Sequence, residues 1–402
     1  MSNTQKKNVP ELRFPGFEGE YSLDIFGNLA TNKSDKFNPQ NENASIDIEL
    51  DCIEQNTGRL IKIYNSKEFS SQKNKFNPQN VLYGKLRPYL NKYYFTKKSG
   101  VCSSEIWVLK STKEDKLLNL FLYYFIQTKR YSDVASKSAG SKMPRADWGL
   151  IENIRVYFPE LCEQQKIGEF FSKLDRQIEL EEQKLELLQQ QKKCYMQKIF
   201  SQELRFKDDN GNDYPEWKEK KLGELSQIVR GASPRPIKDP KWFNKESDIG
   251  WLRISDVTDQ NGKIYHLEQK LSIEGQEKTR VLLTTHLLLS IAASIGKPVM
   301  NFVKTGVHDG FLIFLNPKFN IFFMYYWLDY FKEKWSKYGQ PGSQVNLNSE
   351  IVKSQTLNMP SNHEQEKVGL FFSRNEKLIE LQQEKIMYLK RRKQALILKM
   401  FI

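Results

Sequence analysis

The chain has 402 residues, with 62 Lys+Arg against 49 Asp+Glu and a formal net charge of +13. Hydrophobic residues make up 39% and aromatics 12%, enough for packed cores, so wholesale disorder is excluded and two to four domains are expected. No apolar run reaches the ~18–20 residues of a membrane span, and residues 1–14 lack the apolar stretch of a secretory signal, so a cytoplasmic protein without a membrane partner is expected.

In chain order, residues 61–64, 81–83 and 106–109 carry β-branched and aromatic runs that predict strands. Residues 116–127 predict a helix with an aromatic face. Residues 159–200 then form one long helical stretch. After it, residues 251–254, 287–291 and 311–315 predict strands, and 321–337 an aromatic helix. Residues 360–401 are again a long helix. Pro159 and Pro360 stand ahead of the two long helices, where proline is tolerated, and neither helix contains proline or glycine beyond Gly168 and Gly369.

The order reflects an internal repeat. Residues 159–200 align without a gap to 360–401, including Glu163/Glu364, Gln164/Gln365, Gly168/Gly369, Phe170-Phe171-Ser172/Phe371-Phe372-Ser373 and Ile178-Glu179-Leu180/Ile379-Glu380-Leu381. Upstream, Tyr123-Tyr124 matches Tyr325-Tyr326 and Gly140-Ser141 matches Gly342-Ser343. Glu11-Leu-Arg-Phe14 recurs as Glu203-Leu-Arg-Phe206, and Tyr21 lines up with Trp217. The interiors, 31–116 and 226–316, show little similarity. The segments are therefore module 1–158, helix 159–204, module 205–358 and helix 359–402. A shared frame around divergent interiors implies similar α+β scaffolds with different recognition surfaces.

Both helices carry a heptad seam. The first presents Ile167, Phe171, Leu174, Ile178, Leu185, Leu188 and Ile199, broken by Glu181 and Lys192. The second presents Val368, Phe372, Ile379, Ile386, Leu389, Leu396 and Met400, broken by Gln382 and Lys393. A helix of this length reaches about 57 Å and would leave an apolar stripe in water. Two stripes in one chain bury each other most simply as an antiparallel coiled coil with a pseudo-twofold. The plainer alternative is dimerisation with a second copy. One heptad-compatible register sets Glu181 opposite Lys393 and Lys192 opposite Gln382.

Enzyme chemistry leaves few traces. The four cysteines and four histidines lack metal-ligand spacing, and no GxSxG, Walker loop or GxGxxG is present. Asn38-Pro39-Gln40-Asn41 and Asn77-Pro78-Gln79-Asn80 read as turns. His308-Asp309-Gly310 reads as a turn without chemistry. Binding chemistry is better represented. Both modules are basic, and mix Lys and Arg with Asn, Gln and aromatics, as phosphate and base-edge contacts require. Three loops are candidate nucleic-acid contacts: Lys85 and Arg87; Lys137, Ser141, Lys142 and Arg145, with the second module's counterpart Gln340, Ser343, Gln344, Asn346 and Asn348; and Arg230, Arg235, Lys238 and Lys241. For each, the competing reading is a solvated surface loop.

The residues that carry a family resemblance are Leu12-Arg-Phe-Pro-Gly-Phe17, Val81-Leu-Tyr-Gly-Lys-Leu-Arg-Pro-Tyr-Leu90, Cys102-Ser-Ser-Glu-Ile106 and the doubled helix start Pro-x3-Glu-Gln-x-Lys-Ile/Val-Gly. With these, nearly the whole chain resembles the DNA-specificity subunits of Type I restriction-modification systems, in the manner of staphylococcal members. The resemblance implies two target-recognition domains, each reading half of a bipartite asymmetric site in double-stranded DNA, and a helical ruler between them. It implies two methyltransferase subunits using S-adenosylmethionine, restriction/translocase subunits using ATP and Mg, and no catalysis, metal or cofactor in this chain. A stand-alone DNA-binding regulator and a coiled-coil scaffold without DNA are the alternatives.

Overall fold

The computed structural model describes residues 8–43, 45–137, 143–291, 295–338 and 347–402. The chain divides into two compact units. Unit 1 is Met1–Gln183 with Gln383–Ile402, and unit 2 is Lys184–Gln382. The units therefore do not follow the four segments read from sequence: each takes one module and half of each long helix.

In unit 1 the strand Ser22–Ile25 pairs antiparallel with Arg155–Phe158, which closes the module just before the long helix. A four-stranded sheet orders Ala30–Thr31, Ile106–Ser111, Val81–Gly84 and Tyr93–Phe95. Its central strand is buried at every position because both faces are covered. Val81 and Tyr83 join the core with the helix Asn119–Phe125, while Leu82 packs with Ile48, Phe76 and Cys102. Strand alternation thus distributes one continuous apolar run between two cores.

Unit 2 repeats this arrangement. Lys218–Lys221 pairs with Thr356–Met359. Leu287 and Leu289 of the strand Leu287–Ser290 face the helix Ile321–Phe331, and Leu288 points to the opposite side, beside its cross-strand neighbours Val299 and Ile313 in a second core.

Four predicted elements differ. Of 61–64, only Tyr64–Asn65 is strand, and Ile61 and Ile63 are 65% and 55% exposed. At 251–254, the strand Gly250–Trp251 gives way to a helix at Ile254, started by the Arg253 N–H donating to the Asp256 carboxylate at 2.8 Å. The helix expected over 116–127 is Asn119–Phe125, and that over 321–337 tightens into a 3-10 helix over Lys332–Tyr338.

The long helices span Leu161–Phe200 and Asn362–Met400, 40 and 39 residues, or about 60 Å each. The repeated motif at their starts is an anchor. In unit 1 Arg13 donates through Nε and Nη2 to the fully buried Glu163 carboxylate at 2.9 and 2.7 Å, and the Tyr21 hydroxyl donates to it at 3.3 Å. In unit 2 Arg205 Nη2 and Trp217 Nε1 donate to the buried Glu364 at 2.7 and 3.0 Å. Gln164 donates to the carbonyls of Lys116 and Pro159 and accepts the Leu118 N–H. Gln365 likewise donates to the Pro360 carbonyl and accepts the Asn320 N–H. A Cβ at Gly168 would lie 2.6 Å from Leu120, and one at Gly369 3.0 Å from Phe322. The glycines let each module's helix press on the long helix.

Within each unit the two helical halves run antiparallel. In unit 1 Lys393 pairs with Asp175 at 2.6 Å, Lys390 with Glu182 at 2.7 Å and Lys385 with Glu181 at 2.5 Å. In unit 2 Lys192 pairs with Glu376 at 3.2 Å, and Phe200 stacks on Phe372 at 5.8 Å. This corrects the sequence register: Lys393 faces Asp175 rather than Glu181, and Lys192 faces Glu376 rather than Gln382. Ile167, Phe171, Leu174, Ile178, Ile199, Val368, Phe372, Ile379, Ile386, Leu389 and Met400 are buried, and Leu185, Leu188 and Leu396 are half-buried. The lysine breaks are satisfied in the same way in both units. Tyr124 donates to Asp175 at 3.0 Å and Tyr326 to Glu376 at 2.7 Å, and each lysine also lies over the tyrosine ring. A buried cation is tolerable because it is paired and its partner is hydrogen-bonded.

Candidate nucleic-acid interface

In unit 1 the loop after Val81–Gly84 is stitched to the segment before the helix Trp148–Ile151. Leu86 bridges to Arg145, the Arg87 N–H donates to the Pro144 carbonyl at 2.7 Å, and the Ala146 N–H donates to the Lys85 carbonyl at 2.8 Å. These bonds hold Arg87 at φ 53°, a left-handed conformation that a residue with a Cβ adopts at a cost of about 1–2 kcal/mol. The stitching brings Lys85, Arg87 and Arg145 together, although they come from two separate loops. Arg145 donates in two-pronged fashion to Glu105, through Nε at 3.0 Å and Nη2 at 3.2 Å. That guanidinium holds the Glu105 carboxyl below the usual range. Lys137 is exposed just past the helix Lys129–Ala135. Ser141 and Lys142 lie outside the described residues.

In unit 2 Asp309 organises the loop that begins at Arg230. Its carboxylate accepts from the Ser233 hydroxyl at 2.7 Å and from Arg235 Nη2 at 2.8 Å. Its carbonyl accepts from Arg230 Nε at 2.6 Å, and Arg280 Nε donates to the Arg230 carbonyl at 2.7 Å. The Ser233 hydroxyl, with Arg235 and Arg230, holds the Asp309 carboxyl below its ordinary value. Burial lowers the neighbouring His308, so its imidazole is neutral at pH 7. Only glycine fits at 231, where a Cβ would stand 2.1 Å from the His308 carbonyl oxygen. Lys238 is exposed, and Lys241 pairs with Asp239 at 3.4 Å while lying over Trp242. The Asn348 Oδ1 caps the helix Ser349–Ser354 by accepting the Ile351 N–H at 3.0 Å, so two-pronged adenine reading would break the cap. Gln340, Ser343, Gln344 and Asn346 lie outside the described residues.

Sequence reasoning missed the two carboxylates that aim these arginines, Glu105 and Asp309. The signal was available, since Glu105 sits in Cys102-Ser-Ser-Glu-Ile106 and Asp309 in the set-aside His308-Asp309-Gly310. Chemically, each cluster is an oriented guanidinium held by an exposed ion pair. Such pairs contribute only about 0–1 kcal/mol, so they exchange readily for a phosphate or a guanine edge. Among the described residues no group of His, Cys, Asp and Glu has metal-site geometry, and no helix is long and apolar enough to cross a membrane.

The family described as Type I restriction modification DNA specificity domain matches the chain twice, over residues 20–190 and 214–391. The Type I restriction enzyme MjaVIII specificity subunit of Methanocaldococcus jannaschii is 24% identical over 316 residues, covering 72% of this chain and 71% of that protein. The EcoDI specificity subunit of Escherichia coli is 25% identical over 40% of this chain and 37% of its own length. Among solved structures, a chain of a type I restriction-modification complex superposes with a TM-score of 0.60 at 17% identity, covering 94% of this chain and 96% of that one. The S subunit from M. genitalium superposes with a TM-score of 0.57 at 14% identity, covering 98% and 99%. These two likenesses bear on the fold, and the doubled family match bears on the function. A duplicated module, each copy anchored on a long helix and each carrying its own oriented arginine cluster, belongs to the Type I restriction-modification DNA specificity family, and the chain is a DNA specificity subunit of that kind.

Proposed function

We propose that each unit reads one half of a bipartite, asymmetric site in double-stranded DNA and that the paired helices set the gap between the halves. The observation that carries this reading is the contrast between the units. Their frames repeat down to the Arg13–Glu163 and Arg205–Glu364 anchors, yet their arginine clusters differ: Arg145 on Glu105 in one, Arg230 and Arg235 on Asp309 in the other. Equal scaffolds with unequal readers imply unequal half-sites. The chain acts in the cytoplasm as a non-catalytic adaptor. Two methyltransferase subunits dock on it and methylate adenines with S-adenosylmethionine, and restriction/translocase subunits supply ATP- and Mg-dependent cleavage.

Sequencing the methylome of a host that expresses this chain with its methyltransferase tests the reading. The expected product is a gapped, non-palindromic methylated site. B-DNA repeats every ~34–36 Å, so deleting one heptad from both helices should shorten the gap and leave both half-sites intact. A palindromic or ungapped site, or a gap unchanged by the deletion, overturns the proposal.

A further inference from the structure

In each unit a carboxylate on the long helices is paired with a cation of the other helix and with a cation of the module. In unit 2 this is Glu376 on the second long helix. It accepts from Lys192 of the first long helix at 3.2 Å and from Lys263 of the module, while the Tyr326 hydroxyl donates to it at 2.7 Å. The side chains of Lys192, Glu376 and Lys263 are only 16%, 9% and 13% exposed. In unit 1 it is Glu182 on the first long helix, paired with Lys390 of the second at 2.7 Å and with Arg59 of the module at 2.5 Å.

The two ties are not copies of each other. Glu376 aligns with Asp175, not with Glu182, and Lys263 and Arg59 stand in the divergent interiors, outside the repeated frame. The same wiring is nevertheless present in both: one helix carboxylate, one cation from the other helix, one cation from the reading module. Burial makes it costly to separate such a group from its partners. A module that pivoted or slid on the helices would strand a half-buried cation on one side and a carboxylate on the other. The anchor at the helix start and the aromatic helix, through Tyr124 on Asp175 and Tyr326 on Glu376, hold the repeated frame of each module. This tie adds a hold on the divergent interior, the part that differs between the units.

We propose that Lys263 and Arg59 are specificity-determining positioning residues, which restrict each module to one orientation on the helices and thereby restrict the DNA site to one gap length. This rests on the reading that the helices set the gap. Neither residue need touch DNA, so the half-site bases should be indifferent to them.

The test uses the full chain with its methyltransferase in a host whose methylome is sequenced, comparing wild type with Lys263→Met, Arg59→Met and Lys263→Arg. Lys263→Met leaves the Lys192–Glu376 pair in place. It is expected to keep both half-sites while raising methylation at gaps one base pair longer or shorter by about tenfold, the scale of one lost charge-assisted hydrogen bond. Arg59→Met should relax the gap less, because Arg59 is 31% exposed. Lys263→Arg should restore the single gap. A gap distribution in both Met variants as narrow as in wild type overturns the assignment. If Lys263→Met fails to accumulate, Arg59→Met decides on the same criterion. A wild-type site without a fixed gap overturns the ruler reading and this assignment with it, whereas a gapped site with unrelaxed variants overturns the assignment alone.

Discussion

Replacing Lys393 by Met removes one charge from the seam while keeping the stem that packs there. In the native unit the Lys393 ammonium lies 2.6 Å from Asp175 and donates to the Gln127 side-chain oxygen at 3.0 Å, with only 11% of the lysine and 26% of the aspartate side chain exposed. Removing one partner of a fully buried pair costs about 3–5 kcal/mol. The quarter exposure of Asp175, and the Tyr124 hydroxyl that still donates to it at 3.0 Å, bring the expectation down to about 2–3 kcal/mol. For a unit of this size each kcal/mol shifts the midpoint by about 2–4 °C, so thermal unfolding followed by circular dichroism should fall by roughly 4–12 °C. The exchange Asp175→Lys with Lys393→Asp should recover about 1–2 kcal/mol as a coupling energy in the double-mutant cycle. The exchange Glu181→Lys with Lys393→Glu should recover none, because Glu181 pairs with Lys385. A coupling below about 0.5 kcal/mol for the first exchange, or recovery in the second, would refute the register and the buried-pair argument together.

Three further outcomes are expected. Burial raises the Glu376 pKa, but Lys192 and Lys263 outweigh it and the folded value lies below the ordinary one; its stabilisation is therefore complete above the unfolded value of about 4.3 and is lost as pH falls through the folded value. Unfolding midpoints of wild type and Glu376→Gln should differ at pH 7, and the difference should shrink only as pH falls below the ordinary carboxylate range. Gly168→Ala, normally favourable in a helix by about 1 kcal/mol, should instead destabilise by about 1–3 kcal/mol because its Cβ would meet Leu120 at 2.6 Å; Gly369→Ala, with 3.0 Å to Phe322, should cost less in the same thermal melts. In salt-titrated binding to a cognate and a scrambled duplex, Arg145→Ala should lose about 1–3 kcal/mol of discrimination, whereas Lys238→Ala should weaken both duplexes alike and reduce the salt slope by about 1.

The residues legible in advance were those whose role is local or periodic. The repeat, the two long helices and their apolar seam follow from 3.5-residue spacing and from the paired Glu-Gln motif, which any stretch of chain displays without reference to its partner. The strands at 81–83 and 106–109 were visible because a doubly covered strand is apolar at every position, while 61–64 misled because Ile61 and Ile63 are apolar yet exposed. The candidate arginines were recognisable by type. Their aiming was not: Glu105 reaches Arg145 across 40 residues and Asp309 reaches Arg235 across 74.

What the sequence alone determined is therefore the plan of this protein: two basic modules of one design with unlike interiors, each followed by a helix that needs a partner for its apolar stripe. Tertiary structure alone decided the register of that partnership and the wiring of each module onto it. A shift of about one heptad leaves leucine facing isoleucine in either alignment, so periodicity cannot choose between them. The choice falls to a few charges, Asp175 with Lys393 and Glu376 with Lys192 and Lys263, whose burial penalises an alignment that parts them.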